Sequence, residues 1–180
     1  MQCRSLALAL MALAFAHQAD AQQQRSTHFG VKATLMMPGQ AYVEEVDGFF
    51  DIDMSIGVGG FVDTRLGEKM LGGAYLDLLS AHAYDESALL VDAGIALKAD
   101  LGGAKGGPRW RPGFGLGYGS LSDVGGIGAT HYLTLRAGVE MLLPSQWLAE
   151  VSIHGAPTGG NQDVTVSYGP MVMLRFGRVF

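Results

Sequence analysis

The stretch Leu89-Leu-Val-Asp-Ala-Gly-Ile-Ala-Leu-Lys-Ala-Asp-Leu101 decides the fold. With Leu90 set aside as a slip beside a loop, Val91, Ala93, Ile95, Leu97, Ala99 and Leu101 share one face. Asp92, Gly94, Ala96, Lys98 and Asp100 share the other. A helix, with a period of about 3.6 residues, mixes these two sets, whereas a strand separates them. The next segment repeats the pattern more sharply: Trp110, Pro112, Phe114, Leu116 and Tyr118 oppose Arg111, Gly113, Gly115, Gly117 and Gly119.

Working outward, six further segments alternate in the same way. Residues 28–36 set Phe29, Val31 and Leu35 against Lys32 and Thr34, and 51–63 set Ile52, Met54, Ile56 and Val58 against Asp53 and Ser55. Residues 70–82 set Leu76 and Leu78 against Tyr75 and Asp77, and 131–142 set Leu133, Leu135 and Val139 against Tyr132, Arg136 and Glu140. Residues 147–156 set Trp147, Val151 and Ile153 against Glu150, Ser152 and His154. Residues 164–180 set Val172, Leu174, Phe176 and Phe180 against Met171, Met173 and Arg175. Most segments reach the roughly nine to eleven residues that a tilted strand needs to cross a bilayer. The links alternate between compact turns (64–69, 102–108, 143–146) and longer loops, of which the first, Pro38 to Phe50, carries Glu44, Glu45 and Asp47. The pattern predicts an all-β, eight-stranded antiparallel up-and-down transmembrane β-barrel.

Composition sets the same bounds. The 180 residues are 48% hydrophobic and 16% charged, with 27 glycines and a net charge of −5. That apolar fraction excludes disorder, and no run of about twenty apolar residues offers a spanning helix. An acidic balance without a basic block argues against nucleic acid as a partner. Residues 1–21 read as a secretory signal peptide: Arg4, then the apolar run Leu6 to Ala16, then Ala19-Asp20-Ala21 as the cleavage pattern. Cleavage there leaves residues 22–180 as the barrel domain. The single cysteine, Cys3, precedes the apolar run, so the mature chain is expected to carry no lipid anchor, disulfide or thiolate metal site.

A soluble ligand-binding barrel also alternates, with its apolar set inside. Three features favour the opposite orientation. Phe29, Trp110, Trp147 and Phe180 fall at one rim on the apolar face, with Tyr118 and Tyr168 at the other, as an aromatic girdle requires. The glycine face of 110–119 suits a narrow interior where Tyr75, Tyr132 or Arg136 needs room. The chain closes on Val172-Met-Leu-Arg-Phe-Gly-Arg-Val-Phe180.

That closing segment resembles the recognition signal of bacterial outer-membrane proteins. Val172, Leu174, Phe176 and Phe180 match its alternation, while Arg178 departs from it. In size and topology the chain resembles the OmpA-type and OmpX-type eight-stranded barrels. The resemblance implies the outer membrane of a Gram-negative bacterium, a monomer, and as partners membrane lipid, lipopolysaccharide and the barrel insertion machinery.

An eight-stranded lumen is about filled by side chains. The inward set places Lys32, Lys98, Arg111, Arg136 and Arg175 among Asp53, Asp63, Asp77, Asp92, Asp100, Glu140 and Glu150. Unpaired charges there cost several kcal/mol each in order of magnitude, so pairing is expected. Counting from the turns puts Asp100 opposite Arg111 as a cross-strand pair. It also puts Glu140 opposite Glu150, two repelling carboxylates expected to share a bridging Arg136 or Arg175.

Candidate catalytic and metal groups are sparse. Glu150, Ser152 and His154 include the residue types of a hydrolase triad, but strand positions two apart lie nearly 7 Å from each other. His28, His82 and His131 have no second histidine at ligand spacing. Glu44, Glu45 and Asp47 read as solvated loop charge rather than a Ca²⁺ or Mg²⁺ site. Gly57-Val-Gly-Gly60 precedes no helix and is no phosphate loop. No catalytic residue, cofactor or metal is therefore expected. The expected role is structural or surface-interacting through the outer loops, behind a polar, largely plugged lumen. The alternatives are a narrow channel for small or apolar solutes, as in OmpW-type barrels, and a lipid A-modifying enzyme.

Overall fold

A computed structural model describes residues 27–83, 86–103, 106–123 and 128–180, and the signal-peptide reading of residues 1–21 lies outside them. The alternating segments form β1 (Thr27–Met36), β4 (Ser55–Arg65), β5 (Met70–Ala83), β6 (Glu86–Ala99), β7 (Arg109–Leu121), β8 (Thr130–Leu142), β9 (Trp147–Gly160) and β10 (Val166–Val179). Two short strands, β2 (Gly39–Val43) and β3 (Gly48–Ile52), lie between the first two. The long strands pair in the order β1-β4-β5-β6-β7-β8-β9-β10, and β10 returns to β1 from Gly30↔Val179 to Met36↔Met173. All of these pairings are antiparallel. The result is a closed eight-stranded barrel, whose wall has no free edge.

The orientation is inverted relative to a water-soluble barrel. Ile95 is 65% exposed, Phe114 62% and Val58 62%, while Asp92, Arg111 and Glu140 are buried at 1–2%. Apolar side chains coat the outside and charges fill the inside, because each strand puts alternate residues on opposite sides of the wall.

The structure departs from the sequence reading in four places. Pro38 to Phe50 is a β-hairpin rather than an irregular loop: β2 and β3 pair from Gly39↔Ile52 to Val43↔Gly48, and β2 adds onto β10 through Val43↔Val166 to Ala41↔Tyr168. Asp47, at φ 46°, followed by Gly48 makes the reversal that joins the two strands. The run 51–63 is not one strand. It breaks at Asp53 and Met54, so Ile52 ends β3 with its side chain buried on the hairpin's inner face, and Asp53 is exposed outside the lumen. Leu90 is no slip, because β6 pairs continuously and Leu90 points inward beside Asp92. Tyr168 does not belong to an outer girdle. The β9–β10 register shifts between Tyr168 and Met171, across Gly169-Pro170, which reverses the phase and turns Tyr168 against the inward-facing Tyr132.

Candidate functional site

The lumen is layered along its axis. Near the turn end, which carries Thr27 and Val179, Leu148 and Val179 pack with Phe61 and Tyr75, whose rings stand among the charged side chains. The charged layer runs from there to mid-lumen, and an apolar cavity lies beneath the hairpin.

Two ion chains occupy the middle layer. In the first, Lys32 Nζ donates to Glu150 at 2.6 Å, Arg175 donates to Glu150 at 3.0 Å and to Asp77 at 3.1 Å, and Arg136 donates to Asp77 at 3.0 Å. In the second, Lys98 Nζ donates to Asp63 at 2.7 Å and to Glu140 at 3.0 Å, and Arg111 donates to Glu140 at 3.2 Å. Both chains cross the lumen: Lys98 on β6 reaches Asp63 on β4, and Arg136 on β8 reaches Asp77 on β5. Aromatic faces support the cations. Lys32 and Lys98 stand 4.6 and 4.8 Å from the Phe61 ring centre, and the Arg136 guanidinium lies 3.8 Å from that of Tyr75.

This wiring bears on two expected pairings. Asp100 does face Arg111, as the register at Lys98↔Gly113 and the Leu101 N–H bond to the Trp110 carbonyl place it, and the two form an ion pair at 3.8 Å. Arg109 binds Asp100 more closely, and Arg111 donates its hydrogen bond to Glu140. Glu140 and Glu150 do face one another in the β8–β9 register. Among the described residues no single guanidinium bridges them: Glu140 turns toward Lys98 and Arg111, and Glu150 toward Lys32 and Arg175. Arg136 serves Asp77 instead. Asp92 belongs to neither chain; it accepts from Thr134 Oγ1 at 2.7 Å, and His154 Nδ1 stands 3.7 Å from its other oxygen.

The glycines of β7 make room for this layer. A Cβ on Gly115 would stand 3.4 Å from the Tyr75 ring, and one on Gly119 would meet the Tyr132 ring at a distance real side chains do not reach.

The remaining candidates sort by position. The Ser152 hydroxyl accepts from Arg175, and no hydrogen bond joins it to His154 among the described residues. His28 pairs with Asp63 in the β1–β4 register, and the His131 ring stacks on Tyr118 at 5.8 Å. The His82 side chain lies outside the described residues. In the hairpin, Asp47 accepts from Tyr42 at 2.7 Å and Glu45 accepts from the Thr165 N–H at 2.7 Å. The hydrogen bond from its own backbone N–H, with that from Thr165, holds the Glu45 carboxyl below its ordinary range. Among the described residues no three His, Cys, Asp or Glu side chains gather as metal ligands.

On the outer face, Phe29, Trp110 and Trp147 are exposed near the turn end and Tyr118 near the loop end. Val172, Leu174 and Phe176 point outward along β10. The Trp147 ring stacks on Phe176 at 5.1 Å, and the Phe180 N–H donates to the Phe29 carbonyl at 2.7 Å. Arg178 shares this face, with its guanidinium 5.8 Å from the Trp147 ring centre and 5.6 Å from that of Phe180. An arginine is accommodated here because two aromatic faces receive it at the rim.

The loop-end layer was not foreseen. A cavity of about 500 Å³ is lined by apolar side chains that include Met36, Ala88, Leu90, Tyr132, Ala156 and Met171. Five strands change from apolar to polar inward residues on leaving the cavity: Met36 gives way to Lys32 through Thr34, Leu79 to Asp77, Leu90 to Asp92, Ala156 to His154, and Met173 to Arg175. The sequence signal was adjacent apolar pairs, such as Leu78-Leu79 and Leu89-Leu90, where both sides of the wall are apolar.

No family model and no curated protein matches this sequence. The fold does match solved structures. Ail, the attachment invasion locus protein of Yersinia pestis, aligns with a TM-score of 0.53 at 11% identity, over 87% of this chain and 100% of Ail. Ail in complex with the heparin analogue sucrose octasulfate aligns at 0.50 and 13% identity, over 86% and 99%. The N-terminal β-barrel domain of Pseudomonas aeruginosa OprF aligns at 0.48 and 15% identity, over 88% and 100%. The chain has the fold of the small outer-membrane β-barrels.

Proposed function

We propose that the protein is a monomeric, non-enzymatic barrel resident in the bacterial outer membrane, with a structural or surface-contact role through its hairpin-bearing loop end. The observation that carries this reading is the inverted wall: a continuous apolar exterior around an interior of paired charges. Hydrocarbon is the solvent in which such a surface is stable, and a closed barrel satisfies its own backbone there. In that setting the turn end faces the periplasm and the loop end faces outward. The aromatic side chains near the turn end then sit at the headgroup level, and lipid and lipopolysaccharide are the neighbours of the wall. The word attachment in the name of Ail fits a contact role of this kind.

A plugged lumen is part of the proposal. Passage of a solute would have to break both ion chains, which cross the lumen from β4 to β6 and from β5 to β8. The enzyme reading gains no support, since the hydroxyl of Ser152 is engaged by Arg175. Fractionation with outer membranes together with heat-modifiable gel migration tests residence, and planar-bilayer recording tests the plug. Recovery in the soluble periplasmic fraction overturns residence. A steady, voltage-stable conductance overturns the plug.

A further inference from the structure

We infer that the loop-end cavity is a binding site for a small apolar molecule whose polar end is uncharged or cationic. Its volume of about 500 Å³ lies within the range of about 300–1,000 Å³ typical of small-molecule sites. Close-packed interiors do not leave apolar voids of this size without cause. Four alanines keep it open: Ala41 on the hairpin, Ala81 on β5, Ala88 on β6 and Ala156 on β9, all buried and facing the space.

The site is built rather than accidental. The β2–β3 hairpin covers one side with Ala41, Val43 and Ile52, and is tied down where the Glu44 N–H donates to the Thr165 carbonyl at 3.1 Å. The charged layer forms the floor, with Arg175 donating to the sulfur of Met173 at 2.9 Å. A guest therefore enters from the loop end and stops. Ligand charge is set by the lining, in which, among the described residues, Glu45 and Asp51 are the carboxylates and no lysine or arginine takes part. Glu45 is ionised at neutral pH, and its own backbone N–H and the Thr165 N–H both favour that form. A carboxylate-headed guest is repelled, and an alcohol or ammonium head is accepted. The inference rests on the barrel and its hairpin and not on a surface-contact role, so either can fail alone.

Methionine methyl groups report on the site directly. Met36 and Met171 line the cavity, whereas Met54 and Met70 are exposed elsewhere. The barrel, labelled with ¹³C-methyl methionine in lipid nanodiscs, is titrated with decanol, decyltrimethylammonium and decanoate. Met36 and Met171 are expected to shift saturably with the first two and at least tenfold more weakly with decanoate, while Met54 and Met70 stay fixed. Glu45→Gln with Asp51→Asn should abolish the preference against decanoate. Ala88→Phe and, independently, Ala156→Phe should abolish the Met36 and Met171 shifts in a barrel that remains heat-modifiable. The inference is overturned if Met36 and Met171 do not respond, if all four methyls move together, or if filling the cavity leaves the shifts intact. Equal affinity for decanoate and the ammonium overturns the charge selectivity.

Discussion

Asp77 on β5 and Asp92 on β6 lie directly opposite each other in the ladder, both buried, and only Asp77 holds guanidinium groups. Two like charges at that spacing repel, and the structure separates them by role. Asp77 receives Arg136 and Arg175, while Asp92 receives the Thr134 hydroxyl and faces the His154 ring. The ion chain thus converges on one member of an acidic pair, and the other is held by the Thr134 hydroxyl.

This asymmetry sets the first expectation. Asp77→Asn takes the carboxylate from Arg136 and one of two from Arg175, and should destabilise the barrel by about 3–5 kcal/mol. Asp92→Asn keeps an acceptor for Thr134 and relieves the repulsion, so its effect should stay within about 1 kcal/mol of zero. Urea unfolding in lipid vesicles compares the two. Equal losses would show that Asp92 is also held by cations.

The second acidic pair behaves differently. Glu140 and Glu150 have separate cation partners, so each single change to Gln should cost about 3–5 kcal/mol, because each leaves two cations short of an anion. A double-mutant cycle should give a coupling below about 1 kcal/mol, since neither carboxylate uses the other's cations. A large coupling would mean that one cation bridges both.

Much of this was legible in the sequence, for a reason that particular residues show. Val91, Ile95 and Leu97 against Asp92 and Lys98 revealed the wall because the two sides of a membrane barrel have different surroundings, so the period-two signal is written at nearly every position. The pairings within the lumen were less legible. Register places neighbours such as Glu140 and Glu150, but long side chains reach past the adjacent strand, as Lys32 on β1 does to Glu150 on β9. Tyr168 was misplaced because phase counting does not survive the irregularity at Gly169-Pro170. The hairpin carried a readable signal, Asp47-Gly48 between Tyr42-Val43 and Phe49-Phe50, that length alone had marked as loop.

Glycine on β7 sets a third expectation. Gly119→Ala pushes a methyl into the Tyr132 ring and should cost about 1–3 kcal/mol. In a Tyr132→Ala background the same change should cost little, because the ring is gone. A penalty that persists there would place the constraint on the Thr134 methyl, which a Cβ would meet at 3.1 Å.

The hydrocarbon exterior sets a fourth. Ile153→Arg puts a charge in the outer wall midway along β9 and should cost about 2–4 kcal/mol in a bilayer. Arginine at Trp147, at the strand end beside Arg178, should cost about 1 kcal/mol or less in transfer to lipid, though it also forfeits the stacking on Phe176. Vesicle unfolding titrations of the two variants provide the comparison.

Which solvent meets the wall is the most direct test of the whole account. Nitroxide labels at Ile95→Cys and Phe114→Cys, in protein reconstituted into lipid bilayers, report collision with oxygen, which dissolves in lipid, and with a water-soluble nickel chelate. High oxygen and low nickel accessibility at both positions is the expected result. Ready collision with the nickel chelate at Ile95 and Phe114 would put the apolar face in water and contradict the account.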